Sequence, residues 1–83
     1  MLRPYFMREK NTFQQAFGKK IRDLRTKNNL TLEKLALEAG IAYSQVSRIE
    51  RGKINPSMYT VYVLSETMKV SPAEFFKLPD QEP

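Results

Sequence analysis

Apolar residues recur along this chain with the period of a helix. Phe13, Phe17, Ile21 and Leu24 are spaced by four, four and three residues, which places them on one face of a helix predicted over about 13–27. Thr12 followed by Gln15 suits a capping box at its start, in which each side chain satisfies a backbone donor of the other. Gly18 costs that helix about 1 kcal/mol against alanine and gives a neighbouring backbone room to approach. Asn28 and Asn29 end it, and Leu30 is expected to pack back onto the core. Leu32, Leu35, Ala36 and Ala39 mark the inner face of a second, short helix. Thr31 is placed to cap it, and Glu33 lies in the first turn, where the helix dipole favours negative charge. Gly40 can close it in the left-handed conformation. A third helix over about 42–51 turns Val46 and Ile49 inward and Tyr43, Ser44, Ser47 and Arg48 outward. Helices joined by so short a turn cross steeply, so the third one protrudes.

The chain leaves this helix through a loop at 53–56, where Asn55 precedes proline and is biased away from helix. Ser57 can cap a fourth helix over about 58–69 that buries Val61, Leu64, Ser65 and Met68. Ser71-Pro72-Ala73-Glu74 reads as a second capping box with proline at the first helical position. It opens a fifth helix over about 72–77, which carries Phe75 and Phe76 and is stopped by Pro79. No stretch alternates with a period of two for long enough to make a strand. The expected fold is an all-α, compact domain of five short helices over residues 12–79, preceded by an arm (1–11) and followed by a short tail (80–83).

Composition narrows the chemistry. A chain of 83 residues makes one domain. With neither cysteine nor histidine, disulfides, thiolate metal sites and Ser–His or Cys–His catalytic pairs are excluded. No metal or cofactor is expected, and no enzyme, since nothing assembles a nucleophile, a base and oxyanion donors. No apolar run approaches the roughly 20 residues that span a bilayer. The first ten residues are too polar for a secretory signal. A cytoplasmic, nucleoid-associated location is therefore expected, with no membrane partner. The formal charge is +5 and unevenly spread. Residues 1–53 hold twelve Lys or Arg against five Asp or Glu, a net +7, and residues 54–83 hold two against four, a net −2. Such asymmetry suits a polyanion bound where the third helix protrudes. The plainer reading is that the charges solvate helix faces. Arg3, Arg8 and Lys10 could follow a phosphate backbone, or the arm could have no role.

The run from Phe17 to Arg25 (FGKKIRDLR) resembles the first helix of the phage repressor and Cro-type (Xre-like) helix–turn–helix family. Thr31 to Gly52, ending in SRIERG, is similar to that family's core. Asn55 to Ser57 and Val70 to Phe75 resemble its later turns and last helix. The resemblance covers about residues 13–78 and implies a lambda-repressor-like domain whose third helix enters the major groove of DNA. Carried over residue by residue, it puts Tyr43, Ser44, Arg48 and, close by, Ser47 at base-reading positions. Arg48 is the candidate for a bidentate contact to guanine. Ala42 sits where the family often has serine or threonine, and its methyl could touch a thymine methyl. Thr31, Gln45, Arg51, Lys53 and Asn55 fall at phosphate-contacting places, which fix register rather than sequence. Arg25 and Glu50 fall where the family forms an ion pair between the first helix and the end of the third. Leu32 departs from the family, which often has a phosphate-bonding glutamine there, and Tyr59 and Val63 stand where polar residues are usual.

The leading functional reading is a sequence-specific regulator of transcription, a homodimer on a pseudo-palindromic operator. Tyr59, Tyr62, Val63 and Phe76 are the candidate dimer face, unless these side chains all fold into a monomer core. The alternative is a protein-interaction module such as an antitoxin, with DNA binding secondary. Double-stranded DNA, a second copy of the chain, and RNA polymerase or a toxin are the partners these readings name. No small-molecule ligand domain is expected at this length.

Overall fold

The computed structural model describes residues 9–78, which form four α-helices and a closing 3₁₀ helix. The helices are α1 (Lys10–Lys27), α2 (Leu32–Ala39), α3 (Tyr43–Glu50) and α4 (Met58–Met68). No strand occurs among the described residues. The expected fifth α-helix is instead a 3₁₀ helix, Pro72–Phe76. Its five residues are too few for a ladder of i→i+4 bonds, and the tighter i→i+3 turn serves such short pieces. The stop at Pro79 and the segments 1–8 and 80–83 lie outside the described residues.

The start of α1 also differs from expectation. Glu9, not Thr12, is the cap: its carboxylate accepts hydrogen bonds from the Thr12 N–H and the Thr12 hydroxyl, both at 2.7 Å. Thr12 is thereby the third helical residue, and no Thr12–Gln15 capping box forms. A carboxylate at the positive end of the helix is the better acceptor, so the helix begins three residues earlier. Its two cap bonds hold the Glu9 carboxyl below its ordinary range, the Thr12 hydroxyl contributing most. The second predicted capping box is only half made. Ser71 Oγ accepts from the Ala73 N–H at 3.2 Å, but the Glu74 carboxylate bonds to Lys77 Nζ at 2.8 Å instead of reaching back.

The other boundaries follow the expected chemistry. Thr31 Oγ1 accepts from the Lys34 N–H at 3.0 Å, and Ser57 Oγ from the Thr60 N–H at 3.1 Å. Gly40 closes α2 at φ +70°, in the left-handed region where a Cβ is disfavoured. The core joins Phe17 and Ile21 of α1, Leu35 and Ala36 of α2, Val46 and Ile49 of α3, Leu64 and Met68 of α4, and Phe75. Leu32 packs against this core, which is where its apolar side chain goes in place of a polar role. Leu78 is buried as well, a contribution the helical periodicity did not signal. α3 lies against both α1 and α2, so its position is set by two elements at once.

Candidate nucleic-acid interface

The protruding element is α3. Its spacing puts Val46 and Ile49 inside, fully buried, and leaves Tyr43, Ser44 and Arg48 exposed on the opposite face. Ala42 caps the helix without a side-chain hydrogen bond, as expected for a residue lacking an acceptor. Among the described residues, the Arg48 side chain makes no hydrogen bond or ion pair, so its whole guanidinium fork is open to a ligand. Ser47 differs from its neighbours. It is half-buried, and its hydroxyl accepts a 3.2 Å hydrogen bond from Arg51 Nε. The serine thus steadies an arginine one turn on, and the other two guanidinium nitrogens of the exposed Arg51 have no partner among the described residues.

The residues predicted to touch phosphates flank this helix. Thr31, whose hydroxyl is occupied as an acceptor by the Lys34 N–H, stands at the N-terminus of α2. Lys53 and Asn55 are exposed in the loop after α3, and Gln45 is half-buried on it. Gly52 gives that loop its turn, at φ +72°. The Lys53 N–H reaches back to the Arg48 carbonyl at 2.9 Å, which satisfies one of the last carbonyls of α3.

What holds α3 in place comes from α1. Arg25 Nε donates to Glu50 Oε2 at 2.7 Å and a terminal guanidinium nitrogen donates to Glu50 Oε1 at 3.0 Å. The other terminal nitrogen donates to the Leu30 carbonyl at 2.8 Å. Arg22 Nε lies 3.9 Å from Glu50 Oε1. This is a bidentate, charge-assisted pair on a carboxylate that is almost fully buried. Gly18 lies against the same end of α3. A Cβ there would strike the Ile49 carbonyl oxygen and come within 2.7 Å of the Glu50 carbonyl oxygen. The helix backbones therefore touch directly, and the glycine is required by sterics.

Beyond the loop, Met58, Tyr59, Tyr62 and Phe76 expose large apolar surface, and Val63 is half-buried. Phe76 stacks on Phe13 and packs on Phe17, with ring centroids 6.5 and 5.1 Å apart. These rings, with Asn55, Pro56, Val61 and Tyr62, line a groove of about 460 Å³, which therefore reaches the loop after α3. The Tyr62 hydroxyl donates to Glu66 at 2.8 Å, and that carboxylate raises the phenol above its ordinary value. Among the described residues there is no cluster of potential metal ligands, and no helix is long and apolar enough to cross a membrane.

Sequence reasoning overlooked Gln14. It is 7 % exposed, and its Nε2 donates to the Gly52 carbonyl at 3.2 Å. A signal for it exists, since Gln14, Gly18, Arg22 and Arg25 repeat the spacing of the apolar stripe one residue later.

Comparison with known proteins places this geometry. A family model described as helix-turn-helix (HTH_3) matches residues 21–75. The control protein C.BamHI of Bacillus amyloliquefaciens is 35 % identical over 65 residues, covering 77 % of this chain and 80 % of that protein. The HTH-type transcriptional regulator y4dJ of Sinorhizobium fredii, itself uncharacterised, is 32 % identical over 66 residues, covering 80 % of this chain and 86 % of that one. The crystal structure of the restriction-modification controller protein C.AhdI from Aeromonas hydrophila superposes with a TM-score of 0.76 at 34 % identity, covering 77 % of this chain and 97 % of that one.

Proposed function

Because the chain belongs to the HTH_3 helix-turn-helix family of DNA-binding transcriptional regulators, we propose that it reads a pseudo-palindromic operator in double-stranded DNA as a homodimer. In this reading α3 lies in the major groove. Tyr43, Ser44 and Arg48 face base edges, with Ala42 beside them. Thr31, Gln45, Arg51, Lys53 and Asn55 follow the phosphates. The observation that carries it is the exposed Arg48, its side chain unpartnered, in the last turn of a helix whose C-terminal residue Glu50 is clamped by Arg25. A guanidinium on a fixed backbone is pre-organised for the bidentate contact that distinguishes guanine. Two relatives are a control protein and a restriction-modification controller protein, which supports the narrower reading that this chain regulates restriction and modification genes.

The test is selection of bound sequences from random duplexes, with a mass measurement of the complex. Enrichment of one two-fold symmetric site, occupied by two chains, is expected. Arg48→Ala should relax preference at one position in each half-site, a loss of about 1–3 kcal/mol of discrimination. Lys53→Ala should weaken every sequence about equally. Uniform binding with no enriched motif, or equal losses from both changes, would overturn the assignment.

A further inference from the structure

α1 carries two stripes with the same spacing. Phe13, Phe17, Ile21 and Leu24 face the core, while Gln14, Gly18, Arg22 and Arg25 face the end of α3 and the turn beyond it. Arg25 and Arg22 hold the Glu50 carboxylate, Gly18 admits the Ile49 and Glu50 carbonyls, and Gln14 holds the Gly52 carbonyl. Gly52 is the joint at which the chain leaves α3 for the loop of Lys53 and Asn55. Its left-handed φ of +72° makes it permissive, yet a Cβ there would lie 2.8 Å from Gln15 Cα. The joint is therefore pressed onto the backbone of α1. Among the described residues, Gln14 is the side chain that hydrogen-bonds to it.

Gln14 is not explained by stability. Its Oε1 is buried and finds no donor among the described residues. An orphaned carbonyl oxygen is unfavourable, and an apolar side chain of the same shape would avoid it. What such a side chain could not supply is the N–H that meets Gly52. We propose that Gln14 is a positioning residue for DNA backbone contacts. Acting through the Gly52 carbonyl, it fixes the loop so that Lys53 and Asn55 meet the phosphates beside the bases that α3 faces. The inference rests on the DNA-reading assignment above.

Gln14→Met keeps the volume and removes the donor. Its melting temperature should stay close to that of the parent, because the orphaned oxygen goes with the bond. Without DNA, the Lys53 amide should exchange faster. With DNA, affinity for the selected site and for random duplex should fall by the same factor. The slope of log affinity against log salt should become shallower by about 0.9, the release expected for one phosphate contact. The selected motif should not change. Gln14→Ala should reproduce the slope change even if it melts lower. An unaltered slope, an unaltered Lys53 exchange rate, or a changed motif would overturn the positioning role. If the parent protein shows no salt-dependent binding to any duplex, the DNA reading falls, and the role given to Gln14 falls with it. That outcome is recognisable because it appears before any substitution is made.

Discussion

Glu50 keeps a carboxylate only 4 % exposed, a position that is costly for a charge unless its oxygens are filled. Arg25 fills both of them, so the pair is coupled: removing one partner strands the other. Arg25→Ala should cost about 3–5 kcal/mol in urea unfolding. The half-exposed Arg22, 3.9 Å away, can move in and should keep the loss near the lower end. A loss below about 1 kcal/mol, the value of an exposed pair, would contradict this reading of Glu50. Gly18 sets a competition between two backbone effects. Alanine at a helix interior gains about 1 kcal/mol over glycine. Here its methyl would meet the Ile49 and Glu50 carbonyl oxygens, which are backbone atoms and cannot rotate away. Overpacking costs about 1–3 kcal/mol, so Gly18→Ala should lower the melting temperature despite its better propensity. A higher melting temperature would show that α1 and α3 do not touch as described.

At the scale of the element, the start of α1 depends on pH. The Thr12 hydroxyl and then the Thr12 N–H lower the folded pKa of Glu9 below its ordinary value of 4.5. A depressed carboxylate pKa means that the cap contributes fully above the ordinary value. Its contribution is lost as pH falls through the lower, folded value. The Thr12 amide resonance should therefore titrate with a midpoint below 4.5, and Glu9→Gln should abolish that titration. A midpoint at or above the ordinary value would remove Glu9 as the cap. The same helix shows what could and could not be read in advance. Phe13, Phe17, Ile21 and Leu24 were legible because packing imposes a period on the chain itself. The cap was not, because several polar residues near Thr12 could serve and the strongest acceptor prevailed. For Gln14 the repeated spacing of Gly18, Arg22 and Arg25 is the one local signal, and its partner, 38 residues away, is not announced by it. The spacing that exposes Ser44 and Arg48 also turns Ser47 outward, but Arg51 bonds to its hydroxyl and leaves it half-buried. The fifth helix was recognised by its serine and proline start, while its 3₁₀ form depends on how few residues remain before the chain turns.

Two exposed regions stand out among the described residues. One carries α3 and Lys53, within the residues 1–53 that hold the excess positive charge. The other exposes Met58, Tyr59, Tyr62 and Phe76 around an apolar groove. An eight-residue helix is about 12 Å long and spans only a few base pairs. Two copies, with recognition helices about one DNA turn apart, would double the site that is read. The apolar surface is the face through which we propose that they pair. Tyr59 offers the cleanest test, since it is 75 % exposed and can be changed without disturbing the core. Tyr59→Lys puts a charge where a partner's apolar surface would lie, and a desolvated unpaired charge is strongly disfavoured. By sedimentation, the parent should run as two chains and the variant as one. The variant should still bind DNA, but with lower apparent affinity and a steeper dependence on protein concentration, because dimerisation must then occur on the operator. Melting should remain cooperative in both. If Tyr59→Lys stays dimeric with the parent's affinity, the α4 face is not the contact between copies and pairing must use another surface. If the parent itself sediments as one chain, a two-fold symmetric site would require pairing on DNA alone.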